Sequence, residues 1–163
     1  MSKPIIQETL YTKVRDLERR STVVQPPPFE ESYPVVLAVD AGTTVNNTTT
    51  TKATLDTTTY DTDGIADLAG DQFVVTAPGV YIVTFRATFP VNSTGERRLI
   101  LRKNTVDYEY DTRAATSVND CSCGLTTHML VATGDILEFY YWQNSGGALT
   151  CIGSTAMAWT SAG

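Results

Sequence analysis

The chain has 163 residues and a mass of 17.7 kDa, one ordinary domain that can bury about 70% of its unfolded surface without a metal or disulfide framework. Charged residues make up 18%, below the roughly 25% of an average domain, and the net charge is −6. An acidic chain with no Lys/Arg stripe beside aromatics argues against nucleic acid, and no apolar run approaches the ~20 residues of a membrane helix. The polar start MSKPIIQETLYTK lacks the hydrophobic segment of a signal peptide, so the expected product is soluble and made in a cytoplasm.

The first twenty residues differ from all that follow. Ile6, Leu10, Val14 and Leu17 form the stripe of an amphipathic helix, with Pro4 in its first turn and Arg19 and Arg20 at the end that suits cations. A helix this short is marginal alone in water, so the stripe packs on its own domain, on copies of itself, or on a docking partner. Pro26-Pro27-Pro28 then reads as a stiff, extended spacer. The sequence thus divides into a helical attachment or oligomerisation segment at 1–25, a proline-rich spacer at 26–34 and a head at 35–163.

Within the head the signals are β throughout. Val35–Val39 is a short buried run, and the Thr-rich stretch from Thr43 to Thr59 predicts exposed strand or long loop. The strongest element is Gly79–Pro90, in which Tyr81, Val83, Phe85, Ala87 and Phe89 alternate onto one face. Asn92-Ser93-Thr94-Gly95 predicts a turn, Arg97–Lys103 the next strand, and Asn104-Thr105 a turn into Val106–Tyr110. A loop carrying Cys121 and Cys123 leads into strand Leu125–Ala132. Thr133-Gly134-Asp135 turns into Ile136–Trp142, Asn144-Ser145-Gly146-Gly147 turns again, and Ser154–Thr160 closes the chain. Short strands at regular spacing and no second helix predict an all-β, antiparallel jelly-roll sandwich of about ten strands.

One stretch goes further than class. Asp61, Phe73, Gly79, Tyr81, Val83 and Phe85 spell D-x11-F-x5-G-x-Y-x-V-x-F, which closely resembles the signature of the globular head of complement's first component, subunit q. That head belongs with the tumour-necrosis-factor-like jelly rolls. Leu55, Ala66 and Val83 stand where larger rings are usual, so Ile65 or Leu68 is expected to fill the volume that Ala66 leaves. The resemblance spans about residues 35 to 160. It implies a homotrimer that displays loops for binding, not an enzyme, with Phe89, Met157 and Trp159 as residues for the trimer core. Members without signal peptides or collagen stalks look like bacteriophage virion proteins. The plan of peg, spacer and head suits such a protein, assembled in the host cytoplasm and joined to other virion proteins through residues 1–25. Mounting on a capsid, a collar or a tail fibre all fit. The alternative is a secreted or cellular ligand-type trimeric module.

No constellation predicts catalysis or a cofactor. His128, the sole histidine, lacks a nucleophile motif and reads as a structural or interface residue. Cys121, Cys123 and Cys151 read foremost as buried free thiols, with a disulfide from Cys151 to one of the pair, or a zinc site completed by His128, as the alternatives. Asp56, Asp61, Asp63 and Asp67 begin a calcium-like pattern but lack its bidentate Glu, which leaves solvated turns as the simpler reading. In Phe139–Trp142, alternation puts Tyr140 and Trp142 on one face and Phe139 and Tyr141 on the other, so one pair is core and the other could serve a carbohydrate. Candidate ligand loops are the rims Asn92–Glu96 and Asn144–Leu149, with Asn92, Ser93, Asn144 and Ser145, facing a glycan of the host cell surface.

Overall fold

A computed structural model describes residues 34–152 and the strand 154–160, all within the unit Tyr33–Gly163. The helical stripe Ile6, Leu10, Val14 and Leu17 lies outside the described residues, as does most of the proline spacer.

Thirteen strands are present among the described residues and no helix. In chain order they are β1 (Val35–Asp40), β2 (Thr44–Val45), β3 (Thr51–Lys52), β4 (Thr57–Asp61), β5 (Ala66–Asp67), β6 (Gln72–Val74) and β7 (Gly79–Phe89). There follow β8 (Glu96–Lys103), β9 (Val106–Ala114), β10 (Cys121–Val131), β11 (Ile136–Gln143), β12 (Leu149–Thr150) and β13 (Ser154–Thr160). One sheet has the order β10-β7-β13-β1-β4; the facing sheet runs β5-β6-β11-β8-β9, with β3 also on β11, and β12 pairs β2. All pairings are antiparallel, and neighbours distant in sequence interleave, as in a jelly roll.

The strands beyond those read from sequence are short: the Thr-rich stretch breaks into β2, β3 and β4, and β5, β6 and β12 are two- or three-residue pairings elsewhere. The many hydroxyls and few apolar residues of the Thr-rich stretch give it little to bury, so it pairs only in pieces. A second difference concerns the cysteines. Cys121 and Cys123 open β10 instead of sitting in a loop, because Cys121, Cys123 and Leu125 continue the inward alternation that Met129 and Val131 complete.

Alternation builds the core. A file of rings runs between the sheets: Phe73 meets Phe139 edge-on at 5.0 Å, Phe85 lies 5.1 Å from Phe139 and 5.3 Å from Tyr141, and Phe89 meets Tyr141 edge-on at 6.0 Å. Each such pair adds about 0.5–1.5 kcal/mol beyond burial of its area. The volume beside Ala66 is filled by Ile65, which is fully buried, whereas Leu68 stays partly exposed.

Candidate binding loops at one end of the sandwich

β1 ends, β8 and β10 begin, and β7 and β11 end at the same end of the sandwich. Four connections gather there: residues 46–50, 90–95, 115–120 and 144–148. The two rims expected to bind ligand are therefore neighbours. The Asn144 amide donates to Glu96 O at 3.3 Å, the Glu96 amide donates to Asn144 Oδ1, and the Ala115 amide donates to Gly95 O at 2.9 Å. Gly95 has φ +75°, and a Cβ there would collide with both oxygens of Asn144. Only glycine lets the two rims approach this closely.

These loops stand on buried polar side chains. Gln143, fully buried, donates through Nε2 to Val45 O at 2.9 Å and Gly147 O at 2.7 Å, and its Oε1 accepts from the Ser145 amide at 2.6 Å. Arg97 is 0% exposed. Its Nη1 donates to Thr94 O and Glu96 O, both at 3.0 Å, and its Nη2 to Asn92 O at 3.3 Å, while Nε has no partner. No carboxylate pairs with it among the described residues, and burial lowers its pKa. Asp40, also fully buried, accepts from Tyr141 Oη and Thr43 Oγ1 at 2.7 Å each and from the Gly42 amide at 2.6 Å.

Of the residues singled out from sequence, Ser93 is exposed, whereas Ser145 is buried and donates to Gly147 O. Asn92 Oδ1 accepts from the Thr94 amide at 2.9 Å and Asn144 Oδ1 accepts from the Glu96 amide, so both side-chain oxygens already serve the loops. Phe89 is corrected: its ring is fully buried against Tyr141 in its own chain and gives no surface to another. Met157 pairs in register with Leu37 and Thr84, and Trp159 with Val35 and Ile82, on β13 in the middle of the five-stranded sheet. Arg97 and Gln143, the supports of the loops, were not legible in sequence: a strand-end Arg and Gln carry no mark of burial. Nor was the share that residues 46–50 and 115–120 have in the same end.

The remaining constellations do not assemble among the described residues. Cys121, Cys123 and Cys151 are buried free thiols, and no group of three or more His, Cys, Asp or Glu converges there as metal ligands. His128 is exposed on the opposite side of β10 from Cys121 and Cys123. Burial pushes the Cys123 thiol up, and burial with nearby Asp40 pushes Cys151 up to about 12, which keeps both unreactive. Asp61 caps the Ile65 and Ala66 amides, and Asp67 takes the Gly70 amide and Gln72 Nε2. In β11, Phe139 and Tyr141 are the buried pair, and Tyr140 and Trp142 lie half-buried on the outer face.

No family model and no curated protein matches the sequence. Solved structures match the fold. The globular domain of zebrafish complement 1qA protein superposes with a TM-score of 0.58 at 13% identity, over 76% of this chain and 94% of that one. Eiger TNF from S. frugiperda gives 0.60 at 12%, over 80% and 93%. PRD1 vertex protein P5 gives 0.57 at 19%, over 78% and 96%. The fold is a tumour-necrosis-factor-like jelly roll.

Proposed function

We propose that the chain is a non-enzymatic structural protein of a bacteriophage particle: a trimeric jelly-roll head, mounted through residues 1–25 on other virion proteins and turning its loop end to a host surface. The observation that carries the trimer is the outer face of the five-stranded sheet. β1 sets Val35, Leu37 and Val39 there, β7 Ile82 and β10 Leu130, the last 72% exposed. Apolar side chains on the outer face of a sheet in a small domain suit an association surface, here shared with polar Arg86, Thr126 and His128. The likeness to a vertex protein, P5 of PRD1, over most of both chains supports a place on a virion. Three copies would present their loops together, and weak single sites gain roughly 10²–10⁴ when several engage one surface.

Light scattering of the full chain is expected to give about three times 17.7 kDa, and a monomer mass removes the trimer. Antibody against the head should label purified particles, and a head lacking residues 1–25 should stay folded but fail to join them. The likeness to complement 1qA and Eiger TNF keeps a ligand-type trimeric module as the second reading. Unlabelled particles together with a trimer in solution would favour it.

A further inference from the structure

The outer face of the facing sheet is built differently. Arg98, Ile100 and Arg102 of β8 share it. Register sets Trp142 and Tyr140 of β11 opposite Arg98 and Ile100 on one side, and Thr112 and Tyr110 of β9 opposite them on the other. The Arg98 guanidinium lies 4.9 Å from the Trp142 ring centre and 5.4 Å from that of Tyr110, and its Nε donates to Thr112 Oγ1 at 3.0 Å. Arg102 lies 4.2 Å over Tyr140. Strand pairing thus brings arginines onto aromatics that are far apart in sequence, a juxtaposition hidden in the linear chain.

The other cations of this face are matched, while Glu96, on the same face at the start of β8, makes no ion pair among the described residues. Arg102 pairs with Asp107 at 2.6 Å and Lys52 with Glu138 at 2.7 Å. Arg98 has no carboxylate within ion-pair distance among the described residues, and its Nη1 and Nη2 groups have no acceptor there. In a chain of net charge −6, a planar cation held between two rings with its outer N–H edge unused is prepared for a planar anion. Tyr110, 63% exposed, and half-buried Trp142 add ring surface on either side. A polyphosphate needs a continuous cationic track, and here the neighbouring cations Arg102 and Lys52 are already paired.

We propose that this face binds a carboxylate-bearing sugar of an acidic glycan. The carboxylate takes paired hydrogen bonds from the Nη1 and Nη2 edge of Arg98, and the C–H face of the sugar ring lies against Tyr110 or Trp142, with the Thr112 hydroxyl at its rim. The site is separate from the end loops and does not depend on the virion reading.

The test is a titration of the isotope-labelled full chain with sialyllactose and with trigalacturonate, followed by NMR, with lactose, oligothymidylate and hexaglutamate as comparison ligands. Both acidic sugars are expected to shift the Trp142 indole N–H, identified by its loss in Trp142→Phe, and to bind more weakly as salt is raised. Arg98→Gln should weaken binding about tenfold or more, and Arg98→Lys should not restore it, because the fork geometry is lost. Tyr110→Ala, on an exposed edge position, should weaken it several-fold and serves where Arg98→Gln does not fold. Arg86→Gln, at an exposed arginine on β7 of the other sheet, should leave it unchanged. Lactose binding as well as the acids, silence of both acids, binding only of the oligonucleotide or the acidic peptide, or shifts confined to residues 92–96 and 144–148 would each overturn the proposal.

Discussion

The two ends of the sandwich are made by opposite means. At the tight end, short connections are knotted by exposed or half-exposed groups. The Asn104 side chain donates to Asp135 Oδ1 at 2.7 Å and accepts from the Ile136 amide at 2.8 Å, and Asp135 Oδ2 takes the Ala132 amide and the Lys103 ammonium, both at 2.8 Å. The Asn104 side chain thus ties the β8–β9 turn to the β10–β11 turn from both its donor and its acceptor. At the loop end, the connections are longer and the fastening lies underneath, in Arg97, Gln143 and Asp40, which are fully buried. Support from below holds the loops while some outward groups, the exposed Ser93 hydroxyl among them, have no partner among the described residues. The same contrast says which end should be sensitive to the core and which to pH.

The largest effect is expected from Arg97→Ala. It leaves the carbonyls of Asn92 and Thr94 without their Arg97 donors, takes one of two donors from Glu96 O, and opens a cavity where a long side chain was fully buried. Losses of about 3–4 kcal/mol follow for such a combination, although removing a buried unpaired charge offsets part of the cost. Urea unfolding measures it, and amide shifts should concentrate at residues 92–96 and spare Val75 and Ile136. Uniform shifts at both ends would erase the distinction. Gln143→Leu comes next, at about 2–3 kcal/mol, since it takes the side-chain partner from Val45 O and the Ser145 amide and leaves Gly147 O with the Ser145 hydroxyl alone. Hydrogen exchange should rise at residues 46–49 and 144–148, which Gln143 ties together.

The tight end makes a smaller and pH-dependent contribution. The Lys103 ammonium first, then the Ala132 amide and Asn104, hold the Asp135 carboxyl down to about 2, against an ordinary 3.8. A carboxyl depressed in the folded state adds stability that is complete above about pH 4. It is lost as the pH falls toward 2, where the folded state also takes up the proton. Asp135→Asn should therefore cost about 1 kcal/mol or less at neutral pH, and should remove this share of the acid sensitivity between pH 4 and 2. Parallel acid titrations of the two proteins, read by circular dichroism, check the sign: curves that converge toward pH 2 are expected, and parallel curves would assign the acid loss elsewhere.

What sequence could show and what it could not divides along the same line. Alternation in Gly79–Phe89 and Ile136–Gln143 is period-two chemistry, so Tyr81 and Phe85 were legible as core and Phe139 and Tyr141 as sharing one face, but not that this face of β11 is the buried one. Turns such as Asn104-Thr105 and Asn144–Gly147 announce themselves by composition. Arg97 was legible as a strand residue but not as a buried one, because its carbonyl partners come from a loop whose path is a tertiary fact. Phe89 was placed on a strand correctly, yet its assignment to an interface failed, since alternation gives a face and not what covers it. The pairing of Arg98 with Tyr110 and Trp142 depends on strand order, which no local pattern encodes.

The smallest effect tests the two ends by one chemical change. Thr105, in the two-residue turn between β8 and β9, has φ +71°, and Thr48, in the loop between β2 and β3, has φ +57°. A β-branched residue is strained in this region, and glycine relieves the strain while giving back some stability through its freer unfolded chain. Thr105 is exposed, and its side chain has no hydrogen bond among the described residues, so Thr105→Gly should stabilise by about 0.5–1 kcal/mol. Thr48 donates through Oγ1 to Asn47 O at 2.7 Å, a bond that Thr48→Gly forfeits. Its gain should therefore be smaller, near zero. Urea midpoints of the two variants, at unchanged slope, decide the order. A larger gain at Thr48 would mean that the loop end is strained rather than held from beneath.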